Sequence, residues 1–105
     1  MSKYEAFFVS AQVHERKVTL ADGSEHSLFF KELPASIYRK FQIAEQSTDE
    51  DVRAGSMAKL IASSLCEEDG SPAMTYDEAL KLKASAANVL LDAVLEVNGR
   101  KAGNA

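Results

Sequence analysis

Residues 57–99 read MAKLIASSLCEEDGSPAMTYDEALKLKASAANVLLDAVLEVNG, and the punctuation of this stretch decides what kind of chain this is. Its first part belongs to a helix that runs to about Cys66. Val52, Ser56 and Leu60 form one ridge of that helix, with Met57, Ile61 and Leu65 beside it, the spacing of an amphipathic helix. Gly55 weakens it by about 1 kcal/mol against Ala, and its small size allows a neighbour to approach closely. Glu67-Glu68-Asp69-Gly70-Ser71-Pro72 is a turn by its Gly and Pro. Thr75 is the next N-cap, with Asp77 and Glu78 in the first turn of a short helix carrying Ala79, Leu80 and Leu82. Lys83-Ala84-Ser85 reads as a break, with Ser85 capping a new helix. That last helix buries Ala87, Leu90, Leu91, Val94 and Val97 and stops at Asn98-Gly99, a common C-cap. No residue in the stretch has an evident chemical task. It reads as packing surface, which points to a protein that binds proteins.

One feature resists a local account. The acids Glu67, Glu68 and Asp69 fall at what reads as a helix C-terminus, the wrong end for the helix dipole.

Outward from this stretch, toward the N-terminus, Ser47 with Glu50, or Thr48 with Asp51, supplies a capping box for the 50–66 helix. Ile37, Phe41 and Ala44, with Tyr38 beside them, make 34–46 an amphipathic helix whose first turn tolerates Pro34. Residues 12–31 form a β-hairpin. A two-residue Asp22-Gly23 loop would set Val18 against Ser27 and Leu20 against Glu25, mixing polar and apolar on one face. A three-residue Ala21-Asp22-Gly23 loop places Val18 and Leu20 on a face with His26, Leu28 and Phe30, and Lys17, Thr19, Glu25 and Ser27 on the other. A one-residue slip inverts every side chain, so the second register is predicted. It suits a type I turn whose Gly23 takes the left-handed position of a bulge. Residues 1–11 fit a strand buried on both sides or a short helix, and are read as extended. The predicted fold class is therefore α+β: an N-terminal β-hairpin, with two or three strands, followed by a bundle of about four helices.

At 105 residues the chain is of single-domain size, read here as one α+β domain over 1–99 and a disordered polar tail over 100–105. It needs no disulfide or metal staple, since that need arises below about 40 residues. Twelve basic and sixteen acidic residues leave a net charge of −4, which disfavours a nucleic-acid partner that wants a basic stripe. No apolar run approaches the ~20 residues of a membrane span. The Phe7–Val9 cluster, interrupted by Glu5, is not a signal peptide. A single cysteine, Cys66, cannot form an internal disulfide and suits a reducing cytoplasm.

Candidate chemistry is sparse. His14 and His26 fall at opposite ends of the hairpin, without Cys or Asp at metal-ligand spacing. Cys66 has no nearby His to activate it. Glu67–Asp69 lacks the ligand spacing of a calcium loop, and Asp49–Asp51 is accounted for by helix N-terminal preference. Phosphate-loop, dinucleotide and zinc-protease motifs are absent. No catalytic, cofactor-binding or metal residue is predicted, and the chain is not read as an enzyme. What remains is surface. Phe29 lies on the otherwise polar hairpin face and must pack on something, and Phe7 and Phe8 raise the same question. Either these three complete the core or they meet a partner. Open sheet edges also invite added strands.

Two stretches carry a family resemblance: VTLADGSEHSLFFKELPASIYRKF, and LIASSLCEEDGSPAMTYDEALKLKASAANVLLDAVLEVNG. The second follows the pattern of a helix, a Leu-Cys pair, an acidic run closed by Gly-x-Pro, an acidic N-cap segment and a final helix ending in Asn-Gly. Over roughly residues 17–99 the chain resembles the tail assembly chaperones of long-tailed, lambda-like bacteriophages with non-contractile tails. Its most specific piece is Leu65–Pro72. Relatives often start the last helix with Pro, where this chain has Ala84-Ser85-Ala86.

The resemblance implies a role. Such proteins bind the tape-measure protein, keep it soluble in the host cytoplasm, and help recruit tail-tube subunits. They are absent from the mature virion. Many exist in two lengths through a ribosomal frameshift, the longer product carrying a domain for the tail-tube protein; this chain looks like the short form. Coating a long partner takes many copies and so implies a homo-oligomer, with Phe7, Phe8, Phe29, Glu67, Glu68 and Asp69 as candidate partner contacts and no nucleic acid, membrane or cofactor. The alternative is a small structural tail-completion or connector protein of the virion.

Overall fold

The hairpin forms in the even-with-even register. In the computed structural model, which describes residues 3–99, β1 (Val13–Thr19) and β2 (Glu25–Lys31) pair antiparallel with Val18 opposite His26 and His14 opposite Phe30. The Leu20 amide donates to the Ser24 carbonyl at 2.9 Å, and the Gly23 amide to the Leu20 carbonyl at 2.9 Å. Gly23 sits at φ +89°, the left-handed geometry that the three-residue loop requires. Val18 and Phe30 of the even-numbered face are buried, Phe30 completely.

Four helices follow, α1 (Ala35–Glu45), α2 (Glu50–Ser64), α3 (Tyr76–Ala79) and α4 (Ala84–Val97), with a short strand β3 (Leu65–Cys66) between α2 and α3. The α+β architecture is thus as read from the sequence. Helix α2 is the central element, touching α1, α3 and α4, while α4 lies against β1 and β2. The core joins Phe30 of the sheet and Leu65 of β3 to Phe41, Leu60, Ile61, Leu90, Val94 and Leu95.

The third strand has an origin the periodicity did not show. Helix α2 stops at Ser64 rather than near Cys66, and Leu65–Cys66 pairs with β2, Phe30 opposite Leu65 and Phe29 opposite Cys66. The Ser64 hydroxyl, wholly buried, donates to the Lys31 carbonyl at 2.8 Å. That bond fixes the helix end against the sheet, and the open edge of β2 then captures the next two residues. The strand order is β1-β2-β3.

Three local readings are corrected. The cap of α2 is Asp49, whose carboxylate accepts from the Asp51 amide at 2.9 Å. Ser47 instead accepts the Asp49 amide at 3.0 Å, two residues ahead of the cap position. The break before α4 is present, but Lys83 in extended conformation precedes the helix without a side-chain cap, and Ser85 is inside it. Residues Glu5–Phe7 form a 3-10 turn, closed by the Phe7 amide on the Tyr4 carbonyl at 2.8 Å. With no strand beside it among the described residues, this segment satisfies its backbone locally instead of extending. At Thr75 the capping box with Glu78 forms as read. In α4, Leu90 and Val94 are buried as expected, joined by Ala86 and Leu95, while Ala87, Leu91 and Val97 are only partly so. The tail reading for 100–105 lies outside the described residues.

Candidate partner-binding surface

The acidic turn is built like the hairpin turn. The Glu67 amide donates to the Ser71 carbonyl at 2.8 Å and the Gly70 amide to the Glu67 carbonyl at 2.9 Å, with Gly70 at φ +90°. Asp69 accepts from the Ser71 amide at 2.9 Å and its hydroxyl at 2.6 Å. Asp22 accepts from the Ser24 amide at 2.8 Å and its hydroxyl at 2.6 Å. Both turns are spelled Asp-Gly-Ser. In each the serine hydroxyl, and then the serine amide, holds the aspartate below the ordinary carboxylate range, because hydrogen bonds to the charged form favour it.

This geometry answers the question raised by the acids. Strand β3 separates them from the end of α2, and a bridge between Cys66 and Pro72 makes the segment a small hairpin of its own. Asp69 is engaged within the turn, while the side chains of Glu67 and Glu68 face solvent. The segment is a turn as its Gly and Pro predict, and the repeated Asp-Gly-Ser tripeptide was the signal that it closes like the hairpin loop. A Cβ placed on Gly70 would lie 3.7 Å from Val13 Cγ2, so the turn rests beside the start of β1.

Phe29 is partly buried next to Cys66 on the sheet face away from the helices. Cys66 itself is 3% exposed. Burial pushes its thiol up, Lys31 opposes this, and Glu67 and Asp69 add to it. A thiol raised in this way is a poor nucleophile.

Among the described residues, Phe7 and Phe8 are the most open large apolar ones, 79% and 68% exposed, with Tyr4 and Val9 also exposed. They lie on an arm tied to the body at its base. The Ser10 amide donates to Glu32 Oε1 at 3.0 Å, and Glu32 Oε2 lies 3.3 Å from His14 Nε2. The Ser10 amide foremost, helped by His14, lowers the Glu32 carboxyl. The six candidate contacts therefore divide in two: Phe7 and Phe8 on the arm, and Phe29 with Glu67, Glu68 and Asp69 around β2 and the acidic turn. Both groups rise from the end of the sheet where β1 begins.

A third surface was not foreseen. A groove of about 920 Å³ runs between α1 and α2 and is closed at one side by Tyr76 of α3; Ile37, Phe41 and Val52 give it an apolar lining, and Lys40 and Lys59 add charge. Its signal in the sequence was Gly55, where an added Cβ would lie 2.9 Å from the Tyr76 hydroxyl. Glycine lets the α3 ring approach α2 at this point.

Among the described residues, no group of three or more His, Cys, Asp or Glu is placed to hold a metal ion, and no helix is long and apolar enough to cross a membrane. His14 is held by Glu32, and His26 Nε2 lies 2.9 Å from the Ser24 hydroxyl.

What the geometry offers is apolar surface on an arm and in a groove, the equipment of a protein that handles other proteins. The sequence profile of the phage tail assembly chaperones (TAC) matches residues 3–98, and the chain belongs to that family. Comparison with curated proteins and with solved structures gives no match.

Proposed function

We propose that this protein binds the tape-measure protein of its phage in the host cytoplasm, keeps it soluble, and helps bring tail-tube subunits to it, leaving before the virion is complete. The observation that carries this reading is the exposed arm, with Phe7 at 79% and Phe8 at 68% exposure in a member of the tail assembly chaperone family. Large apolar side chains held in water are costly to a chain that works alone, and mark interaction sites when they cluster. Phe7, Phe8 and Phe29 supply apolar contact between copies of the chain, and Glu67 and Glu68 supply a charged rim for the long partner. Several copies act on one long partner, so the chain self-associates, and a longer translational product contacts the tail-tube protein.

Co-expression with the tape-measure protein of the same genome tests the reading. The expected result is that the partner stays in the soluble fraction and co-purifies with the chain. A partner that remains insoluble and unbound removes it. Mass spectrometry of purified virions provides a second check, since the protein is expected to be missing. Its presence at stoichiometric level would favour the tail-completion or connector reading.

A further inference from the structure

We propose that the N-terminal arm of one copy docks into the α1–α2–α3 groove of a second copy, joining subunits head to tail. The arm carries Phe7, Phe8 and Val9 into solvent, and its own chain leaves them uncovered. The groove has the complementary character, an apolar lining of Ile37, Phe41 and Val52. At about 920 Å³ it falls in the range of about 300–1,000 Å³ that accommodates compact apolar ligands.

Charge selects this occupant. Glu5 lies two residues before Phe7 on the arm, and the groove presents Lys40 and Lys59, with Asp51 near Val52 available to the arm's Lys3. Neither lysine makes an ion pair among the described residues, and neither does Glu5. The arm is anchored at Ser10 by Glu32, so Phe7 projects up to about 10 Å from the body at the extended rise per residue.

Arm and groove are different surfaces, so the contact is heterologous. Each bound copy leaves one free arm and one free groove, and the joint repeats into an open chain or closes into a ring. The inference rests on the proposed role, in which many copies line one long partner, and it supplies the joint between them.

The full chain is studied by size-exclusion chromatography with light scattering. The wild type is expected to show concentration-dependent association. Phe7→Ser with Phe8→Ser is expected to weaken it by more than about thirtyfold, the effect of losing an aromatic hot spot, with unchanged circular dichroism because both side chains are exposed. Glu5→Lys alone should weaken association, and adding Lys40→Glu with Lys59→Glu in the same chain should restore it. For contact mapping, a Phe8→Cys copy is mixed with a Ser56→Cys copy under mild oxidation; Cys66 is buried and stays silent. A disulfide between the two variants supports the joint. A monomeric wild type, Phe8→Cys copies that link only to each other, or a Phe8→Cys/Ser56→Cys double variant that closes within one chain would overturn it. If the wild type still co-purifies with the tape-measure protein in those cases, only the joint is wrong and the partner reading stands.

Discussion

Asp22 and Asp69 do the same task in two places, and their charge is part of the task. Each accepts two hydrogen bonds from the serine two residues on, and each is thereby held below the ordinary aspartate value of 3.8. Glu78, held by the Thr75 amide and hydroxyl, and Glu32, held first by the Ser10 amide, are lowered from 4.5. Because the folded values lie below the unfolded ones, the stabilisation is fully present above the ordinary values and is lost as pH falls through the folded ones. The urea midpoint is expected to be flat from neutral pH to about 5 and to fall below about 4. Asp22→Asn with Asp69→Asn, which keeps an acceptor but removes the titration, should make that fall shallower. A slope identical to wild type would show that the turns do not drive it. The two kinds of glycine respond oppositely. Gly70→Ala forces a side chain into φ +90° and is expected to cost about 1–2 kcal/mol in a denaturation experiment. Gly55→Ala meets only the far end of an exposed tyrosine, so the helix gain of about 1 kcal/mol offsets the displacement. Stability is then unchanged or slightly raised while Tyr76 moves.

At the scale of elements, two buried or half-buried polar side chains tie helix ends to the rest. Ser64 closes α2 onto the Lys31 carbonyl. Asn98 accepts the Leu33 amide at 2.7 Å and donates to the Val94 carbonyl at 2.8 Å, so the end of α4 holds the joint between β2 and α1. Ser64→Ala is expected to cost about 1–3 kcal/mol, since it leaves a carbonyl unpaired, and Asn98→Ala a similar amount; both are read as a lower urea midpoint at unchanged m-value. The sequence exposed Asn98 as a helix stop but not as a clasp, because Leu33 lies sixty-five residues away. Helix periodicity was legible for α1, α2 and α4, since Phe41, Leu60, Ile61, Leu90 and Val94 repeat at helical spacing. Strand β3 was not, because two residues carry no period and their pairing depends on β2.

Across the whole molecule, stability and partner binding draw on different residues. Ile61 is completely buried in the core shared by sheet and helices, and Ile61→Ala is expected to cost about 2–5 kcal/mol. Phe7→Ser with Phe8→Ser is expected to leave the thermal midpoint unchanged and to act only on association; a large drop in melting temperature would place the arm in the fold rather than outside it. The sequence by itself determined the α+β class, the hairpin register, the Thr75 cap and the break before α4. Each of these follows from period, turn chemistry or steric preference within a few residues. Only the tertiary structure decided that Leu65–Cys66 is a strand, that Phe29 is half-covered while Phe7 and Phe8 are not, and that a groove opens beside Gly55. These depend on which edges and faces distant segments bring together, and burial is a property of that assembly rather than of any stretch of chain.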